Sequence, residues 1–297
     1  MSHQASDMIK YLTLLSTILI ITSCDVEEKP FIQDYNSYVN PDKKVLIEDF
    51  TGHLCPNCPN AATALEDIHD IYGDQIIGLA IHVSKTFARP YHSSQAPSFQ
   101  YDFRTNWGDN WDEFYGISEA GLPKGMINRV GFEDDDHKLG KDEWASSVAL
   151  ELKKEIDFKI SIASDQNSIF ITSEVQNNIN AEYNLVVCLT ESGIINWQKD
   201  RQLNVEDYVH NHVLRTVLID QELSNYTNYT AGQQIEKTIS YNLADLEEDN
   251  MFYSENTAEM GNGNAGGWDK NNMNIIAYIY NRNTKEIVQV EEAHLSN

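Results

Sequence analysis

A strand-like segment that ends in a CxxC pair and leads directly into a helix is the feature that most restricts how this chain can fold. Residues 43–62 read KKVLIEDFTGHLCPNCPNAA. The apolar run 45–47 predicts a buried strand, and helix-forming residues follow Cys58. Free N–H groups and the positive dipole end of a helix stabilise a thiolate at Cys55, and Cys58 lies within reach for a disulfide. Pro56 suits the first helical turn, where no donor is lost.

A second strand follows the helix. Residues 76–83, IIGLAIHV, form a near-continuous apolar run, typical of a central parallel strand that is covered on both faces. The helix between the two strands ends at Gly73. The segment is therefore predicted to be a right-handed βαβ unit.

This arrangement resembles the thioredoxin-like superfamily. Asp49 stands six residues before Cys55, where thioredoxins keep a buried acid that assists proton transfer. The resemblance implies thiol–disulfide exchange, with Cys55 as the exposed nucleophile, Cys58 as the resolving thiol and Asp49 as the proton relay. Leu54 stands where thioredoxins usually place a tryptophan, which leaves the redox potential and the choice of partner open.

The stretch 121–127, GLPKGMI, looks like the cis-proline loop of the same superfamily. The resemblance implies that Pro123 shapes a substrate groove and that Leu122 offers backbone hydrogen bonds in it. Pro56 and Asn57, between the two cysteines, are assigned to the same groove. The expected partners are protein thiols or disulfides outside the cytoplasm, and no cofactor is expected.

Composition limits the classes of partner. The chain has 297 residues and a formal net charge of −25, which argues against nucleic acid or anionic membrane surfaces as partners. The length suffices for two domains.

Residues 1–24 are predicted to be an export signal. An apolar run at 11–21 follows Lys10 and is too short to span a bilayer. The end of this segment, ITSC, resembles the bacterial lipobox, which implies lipidation at Cys24 and attachment to a membrane. A plain signal peptide is the alternative. Residues 25–42 are predicted to be a tether.

An aromatic-rich insertion is predicted at 84–117, where nine aromatic residues lie among charges and prolines. Two interpretations stay open. The aromatic residues either pack the insertion onto the sheet or line a ligand groove next to Cys55.

The sequence pattern changes near residue 156. Period-two alternation and Asn- and Gly-rich turns follow it. The pattern predicts an α/β thioredoxin-like domain at 43–156 and an all-β, immunoglobulin-like sandwich domain at 157–297.

Metal binding is a further alternative for the cysteine pair, with help from His53 or His82. Only one CxxC is present, so no metal site is assigned. His210 and His212, two apart, would share one side of a strand, and they are more simply a structural pair. Cys188, in an apolar run, is predicted to be a buried, inert thiol, with a resolving or intermolecular role as the alternative.

The whole pattern resembles the Omp family of outer-membrane lipoproteins from Bacteroidetes, the type named for a mass of about twenty-eight kilodaltons. The resemblance rests on the lipobox, on EDFTG with CPNCP at 48–59, on LPKGMINR at 122–129 and on YVHNHVLR at 208–215. It implies an outer-membrane lipoprotein on the periplasmic or the surface face. A non-catalytic binding or adhesion lipoprotein, with the thioredoxin-like fold as scaffold, is the alternative to the exchange enzyme.

Overall fold

β-Strands make up most of the regular structure. The computed structural model describes residues 39–91 and 98–296. In chain order the elements are β1 (Val45–Thr51), α1 (Cys58–Tyr72), β2 (Ile76–His82), α2 (Asn106–Tyr115), β3 (Lys124–Ile127), α3 (Lys141–Glu151), β4 (Phe158–Ser164), β5 (Ser168–Val175), β6 (Ile179–Asn180), β7 (Tyr183–Glu191), β8 (Ile194–Asp200), β9 (Leu203–His210), β10 (Val213–Glu222), β11 (Asn228–Tyr229), β12 (Gln234–Ser240), α4 (Leu243–Asn256), β13 (Met273–Asn281) and β14 (Ile287–His294). The predicted signal peptide 1–24 with Cys24, and residues 25–38 of the predicted tether, lie outside the described residues.

The predicted βαβ unit is present. All seven residues of β1 are buried, and β1 pairs in parallel with β2 from Val45 and Ile76 onwards. The crossover helix α1 buries Ala61, Leu65 and Ile68, the helical spacing that the sequence shows. β3 pairs antiparallel with the other side of β1.

The sheet continues into the second half of the chain. Its order is β14-β13-β7-β10-β2-β1-β3. β10 joins the edge of β2 in parallel at Val213 and Ala80, and the N–H of Ala80 donates to the carbonyl oxygen of His212 at 2.8 Å. Strands from both sides of residue 156 therefore share one sheet. The described residues from Val39 onwards form one compact unit, and the domain boundary near residue 156 stays a prediction.

The two faces of the large sheet are covered differently. One face carries a continuous apolar cluster that runs from β1 and β2 to β13, and α2 contributes to it. The other face is covered in two parts, by α1 and α3 at one end and by a three-stranded antiparallel sheet, β12-β5-β4, at the other. Because β7 is buried on both faces, its residues alternate between two clusters. The fold is thus mixed α/β, with a large sheet and smaller sheets.

One helix in the second half is not predicted by the sequence pattern. α4 begins after Asn242, whose side chain accepts a hydrogen bond from the N–H of Ala244 at 3.1 Å. Its Met251 and Phe252 are exposed, so the helix lacks a clean apolar stripe. The expectation of an all-β segment at 157–297 is therefore wrong.

None of the described helices is long and apolar enough to cross a bilayer.

Candidate functional site

A disulfide joins Cys55 and Cys58, whose Cα atoms are 5.5 Å apart. The predicted pair is thus brought together at the start of α1. The helix begins at Cys58, with Asn57 at its N-cap. Pro56 therefore lies in the turn that precedes the helix rather than in its first turn, where Pro59 stands instead. The N–H of Cys58 donates to the carbonyl oxygen of Cys55 across this turn at 3.4 Å.

The disulfide is buried. Cys55 is 1% exposed and Cys58 is 2% exposed, so the expectation of an exposed Cys55 is wrong. The hairpin formed by β8 and β9 covers the pair. Its backbone N–H groups at Lys199 and Arg201 donate at 2.8 Å to the carbonyl oxygens of His53 and Pro56. An outside protein thiol must therefore displace the hairpin to reach Cys55.

Gln198 on β8 adds side-chain contacts to this cover. It is buried, and its amide lies 3.1 Å from the carbonyl oxygen of Cys55 and 3.4 Å from that of Gly52. It also donates to the carbonyl oxygen of Lys199 at 2.9 Å. These bonds link the hairpin directly to the CxxC turn.

The predicted insertion 84–117 forms the other side of the cover. The N–H of Leu54 donates to the carbonyl oxygen of Phe87 at 2.8 Å. Gly52 permits this approach, since a Cβ there would collide with the Phe87 backbone. Further along, Trp111 and Tyr115 pack into the core of the sheet. Trp111 and Tyr115 thus pack as the first interpretation expects, whereas Tyr91 and Phe114 are exposed; residues 92–97 lie outside the described residues.

Asp49 and Cys58 border the same small space. This chamber of about 40 Å³, here called the inner chamber, is also lined by His82, Gln198 and Tyr208. The Asp49 side chain is buried, and its Oδ1 has no hydrogen-bond partner among the described residues. Burial raises the pKa of this carboxyl to about 7. Asp49 can therefore hold a proton next to the disulfide near neutral pH.

Three buried histidines meet around Phe103. Its ring lies 4.6 Å from that of His82, 4.7 Å from that of His210 and 5.9 Å from that of His53, centroid to centroid. Burial lowers the pKa of His53 to about 4 and that of His210 to about 3. These two side chains are therefore neutral at pH 7. The Nδ1 of His82 and the Nε2 of His210 have no hydrogen-bond partner in the described ranges.

His210 and His212 do not share one side of a strand. β9 ends at His210, and His212 lies in the following turn with φ +57°. His212 turns towards α1, with its Nε2 3.9 Å from a carboxylate oxygen of Glu66. Among residues 39–91 and 98–296, no group of three or more His, Cys, Asp and Glu side chains is placed to hold a metal ion.

The Leu122–Pro123 peptide bond is cis. Pro123 precedes β3, and Leu122 packs at the edge of the apolar cluster that includes α2. Neither residue lines the inner chamber, so their predicted role in a substrate groove stays a prediction. Cys188 is a free, fully buried thiol on β7, and burial raises its pKa. The prediction of a buried thiol there is confirmed.

Gln198 and Tyr208 are site residues that the sequence analysis does not identify. The stretch 208–215 is recognised only as a family motif. In this stretch Tyr208 and His210 alternate with Val209, a pattern that indicates a strand with one buried face. This face covers the CxxC turn. Because the turn lies about 150 residues away in sequence, the local pattern does not indicate the contact.

A match that covers the second half of the chain identifies the family. The family model of the outer membrane protein Omp28 matches residues 109–297. The chain belongs to this family. Membership in the Omp28 family places the protein in the cell envelope, at the outer membrane. The CxxC pair at 55–58 lies outside the matched range, so the family match does not assign its chemistry.

Solved structures show a related fold. HBP35 of Porphyromonas gingivalis is 13% identical, with a TM-score of 0.56, and the match covers 86% of this chain and 76% of that chain. A protein from Agrobacterium tumefaciens is 12% identical over 86% of this chain and 95% of that chain, at a TM-score of 0.49. A domain of the outer membrane lipoprotein Omp28 from Porphyromonas gingivalis is 15% identical over 48% of this chain and 91% of that one, at a TM-score of 0.25. Only the first supports the fold. No curated protein matches the sequence.

Proposed function

We propose that this Omp28-family protein carries out thiol–disulfide exchange at Cys55 and Cys58 with protein thiols or disulfides outside the cytoplasm. The observation that carries the proposal is the CxxC disulfide at the start of α1, with the proton-holding Asp49 beside it. The proposal includes attachment to the membrane by lipid at Cys24, on the periplasmic or the surface face.

The proposal also includes a finer description of the fold. In residues 43–156, β1, α1, β2, the Pro123 loop, β3 and α3 follow the order of a thioredoxin-like domain. In residues 157–297, the sheet β12-β5-β4 packs on the β14-β13-β7-β10 part of the large sheet. That packing supports an immunoglobulin-like sandwich whose larger sheet is continuous with the thioredoxin-like one.

The exchange proceeds through a mixed disulfide. When a substrate reduces the protein's own disulfide, a substrate thiolate attacks one sulfur of the pair, and the other sulfur leaves as a thiolate. The second thiol of the substrate then attacks the mixed disulfide, so the substrate is oxidised to a disulfide and both cysteines are reduced. Asp49 supplies a proton to the thiolate formed at Cys58.

Gln198→Ala is expected to speed reduction of the buried disulfide by a protein-sized dithiol about tenfold. The substitution removes the side-chain bond to Cys55 and the longer contact with Gly52, together worth about 1.4 kcal/mol, which corresponds to a tenfold change in the open population. The rate is measured by stopped-flow tryptophan fluorescence with a reduced thioredoxin. Gln202→Ala, in the exposed turn of the same hairpin, is the control. Equal rates for both variants would show that the hairpin does not limit access.

The function is tested by insulin reduction and by reactivation of a scrambled ribonuclease, with wild type, Gln198→Ala and Cys55→Ser. We expect activity in the first two proteins, higher in Gln198→Ala, and its loss in Cys55→Ser. Cys188→Ala, which alters a thiol remote from the disulfide, should keep the activity. Background rates in both wild type and Gln198→Ala would overturn the exchange function.

A non-catalytic binding lipoprotein is the second candidate. The burial of both cysteines favours it, because a sealed disulfide also serves as a structural clip. The outward side of the hairpin favours it too, since Ile195, Leu203 and Val209 are exposed there. Exchange rates no higher than the protein-free background, in the wild type and in every variant, would support this candidate.

A further inference from the structure

A groove on the surface borders the inner chamber that Cys58 lines. It lies between α1 and the end of β9, has a volume of about 450 Å³ and is here called the outer groove. Its walls include Leu65 and Val209, and Glu66 lies at its edge with a half-exposed side chain. The groove is therefore mainly apolar with an acidic edge.

The outer groove and the inner chamber share residues. Asp49, Ala62, Ala80, Tyr208 and Asn211 line both. The two spaces are therefore neighbours. The buried Asp49, whose Oδ1 has no hydrogen-bond partner in the described part of the chain, lies at their junction. An unpartnered polar group in such a position is the kind of group that a bound molecule satisfies.

The two cysteines differ in their access to these spaces. Cys58 lines the inner chamber and Cys55 does not. On the Cys55 side, Gln198, Lys199 and Arg201 hold the hairpin onto the CxxC turn. Between the groove and Cys58 lies only the inner chamber, whereas the hairpin itself lies across the Cys55 side.

We propose that the outer groove admits a neutral or cationic low-molecular-weight thiol, which reduces the disulfide by attack on Cys58. The inference rests on the proposed exchange function and names an electron donor for it. The groove, about 450 Å³, has room for the body of such a molecule, and the inner chamber, about 40 Å³, has room for little more than its sulfur, since a single water occupies about 30 Å³ of liquid volume. Glu66, at the edge of the groove in a chain with net charge −25, disfavours an anionic thiol.

The reaction balances with two thiols. The first thiolate attacks the sulfur of Cys58, the Cys55–Cys58 bond breaks, and Cys55 leaves as a thiolate near the N-terminus of α1, where free N–H groups stabilise it. The second thiolate attacks the outer sulfur of the mixed disulfide and releases Cys58 as a thiolate, which takes the Asp49 proton. Two thiols are oxidised to one disulfide, and their protons end on the two cysteines, one of them by way of Asp49.

The position of attack is tested on the wild-type disulfide. The protein reacts briefly with 2-mercaptoethanol and is quenched in acidic guanidinium with methyl methanethiosulfonate. Fragment-ion mass spectrometry then locates both groups. We expect the mercaptoethanol adduct on Cys58 and the methylthio group on Cys55. An adduct mainly on Cys55 would overturn the inference.

The route is tested by reduction rates with matched variants and thiols. Ala62→Leu, which narrows the groove, should slow reduction by 2-mercaptoethanol at least tenfold. Ala64→Leu, the same change on the opposite side of α1 where Ala64 packs against the core, should not. Cysteamine should react faster than 2-mercaptoethanesulfonate, a thiol of similar length, and Glu66→Gln should reduce that ratio. Equal rates for Ala62→Leu and Ala64→Leu would overturn the inference.

These outcomes are separable from failure of the proposed function. Gln202→Ala, in the exposed turn of the hairpin and outside both spaces, should leave the 2-mercaptoethanol rate unchanged. If Ala62→Leu also left that rate unchanged while insulin was still reduced, the groove route would be excluded and the exchange function would stand. If insulin were reduced no faster than without the protein, the exchange function would be excluded, whichever cysteine carried the small-thiol adduct.

Discussion

Glu48→Ala is expected to lower the free energy of unfolding by about 3–5 kcal/mol, because it leaves the buried guanidinium of Arg129 without its counter-charge. Arg129 donates to both carboxylate oxygens of Glu48, at 2.9 and 2.6 Å. It also donates to the hydroxyl oxygens of Tyr115 and Tyr278, both at 2.7 Å. The network joins β1, α2 and β13, so its loss weakens contacts between the two halves of the chain.

The measurement is urea denaturation followed by circular dichroism. The double variant Glu48→Ala/Arg129→Met should recover a large part of the loss, since no unpaired charge remains buried. Glu259→Ala is the matched control. It breaks an ion pair with Lys85 at 3.0 Å in which both side chains are more than half exposed, and such pairs contribute at most about 1 kcal/mol. Equal losses for Glu48→Ala and Glu259→Ala would contradict the assigned role.

Asp49→Asn is expected to stabilise the protein by up to about 4 kcal/mol at pH 8 and by little at pH 4. Burial raises the pKa of Asp49 from 3.8 to about 7, a difference that corresponds to about 4 kcal/mol. Between these pH values the folded state binds a proton that the unfolded state has released. Asp49 therefore contributes a loss of stability as pH rises from about 4 to about 7, and asparagine removes that contribution.

Urea denaturation of both proteins from pH 4 to pH 8 checks this prediction. Burial also lowers the pKa of His82 and His210, and their pH-dependent contributions are common to both proteins and cancel in the difference. The pKa of Tyr208, raised to about 12, lies outside this window. Asp67→Asn, at an exposed position of α1, should follow the wild-type curve. Parallel curves for wild type and Asp49→Asn would show that Asp49 ionises normally.

The segments that could be predicted are those whose periodicity is local. The continuous apolar runs of β1 and β2 and the helical spacing of α1 indicate a βαβ unit, and the burial of Cys188 follows from its apolar strand. α4 could not be predicted, because its exposed Met251 and Phe252 interrupt the apolar stripe. The continuation of the sheet through β10 could not be predicted either, since one paired position, Val213 with Ala80, leaves no pattern in sequence.

Arg129 shows a similar limit at the level of single residues. The sequence places it in the motif 122–129, but gives no sign that its guanidinium is buried between Glu48 and two tyrosines from distant segments. An arginine in sequence is usually read as exposed, and only the assembled fold supplies the charge and hydroxyl partners that permit its burial.

The sequence by itself determined which groups the site contains: a CxxC pair at the start of a helix and an acid on the preceding strand. These depend on residues within about fifteen positions of one another, where strand and helix periodicity dictate the geometry. Only the tertiary structure decided access to them. The hairpin β8–β9 covers the disulfide through hydrogen bonds from Gln198, Lys199 and Arg201, and such bonds between distant segments depend on how the sheet assembles.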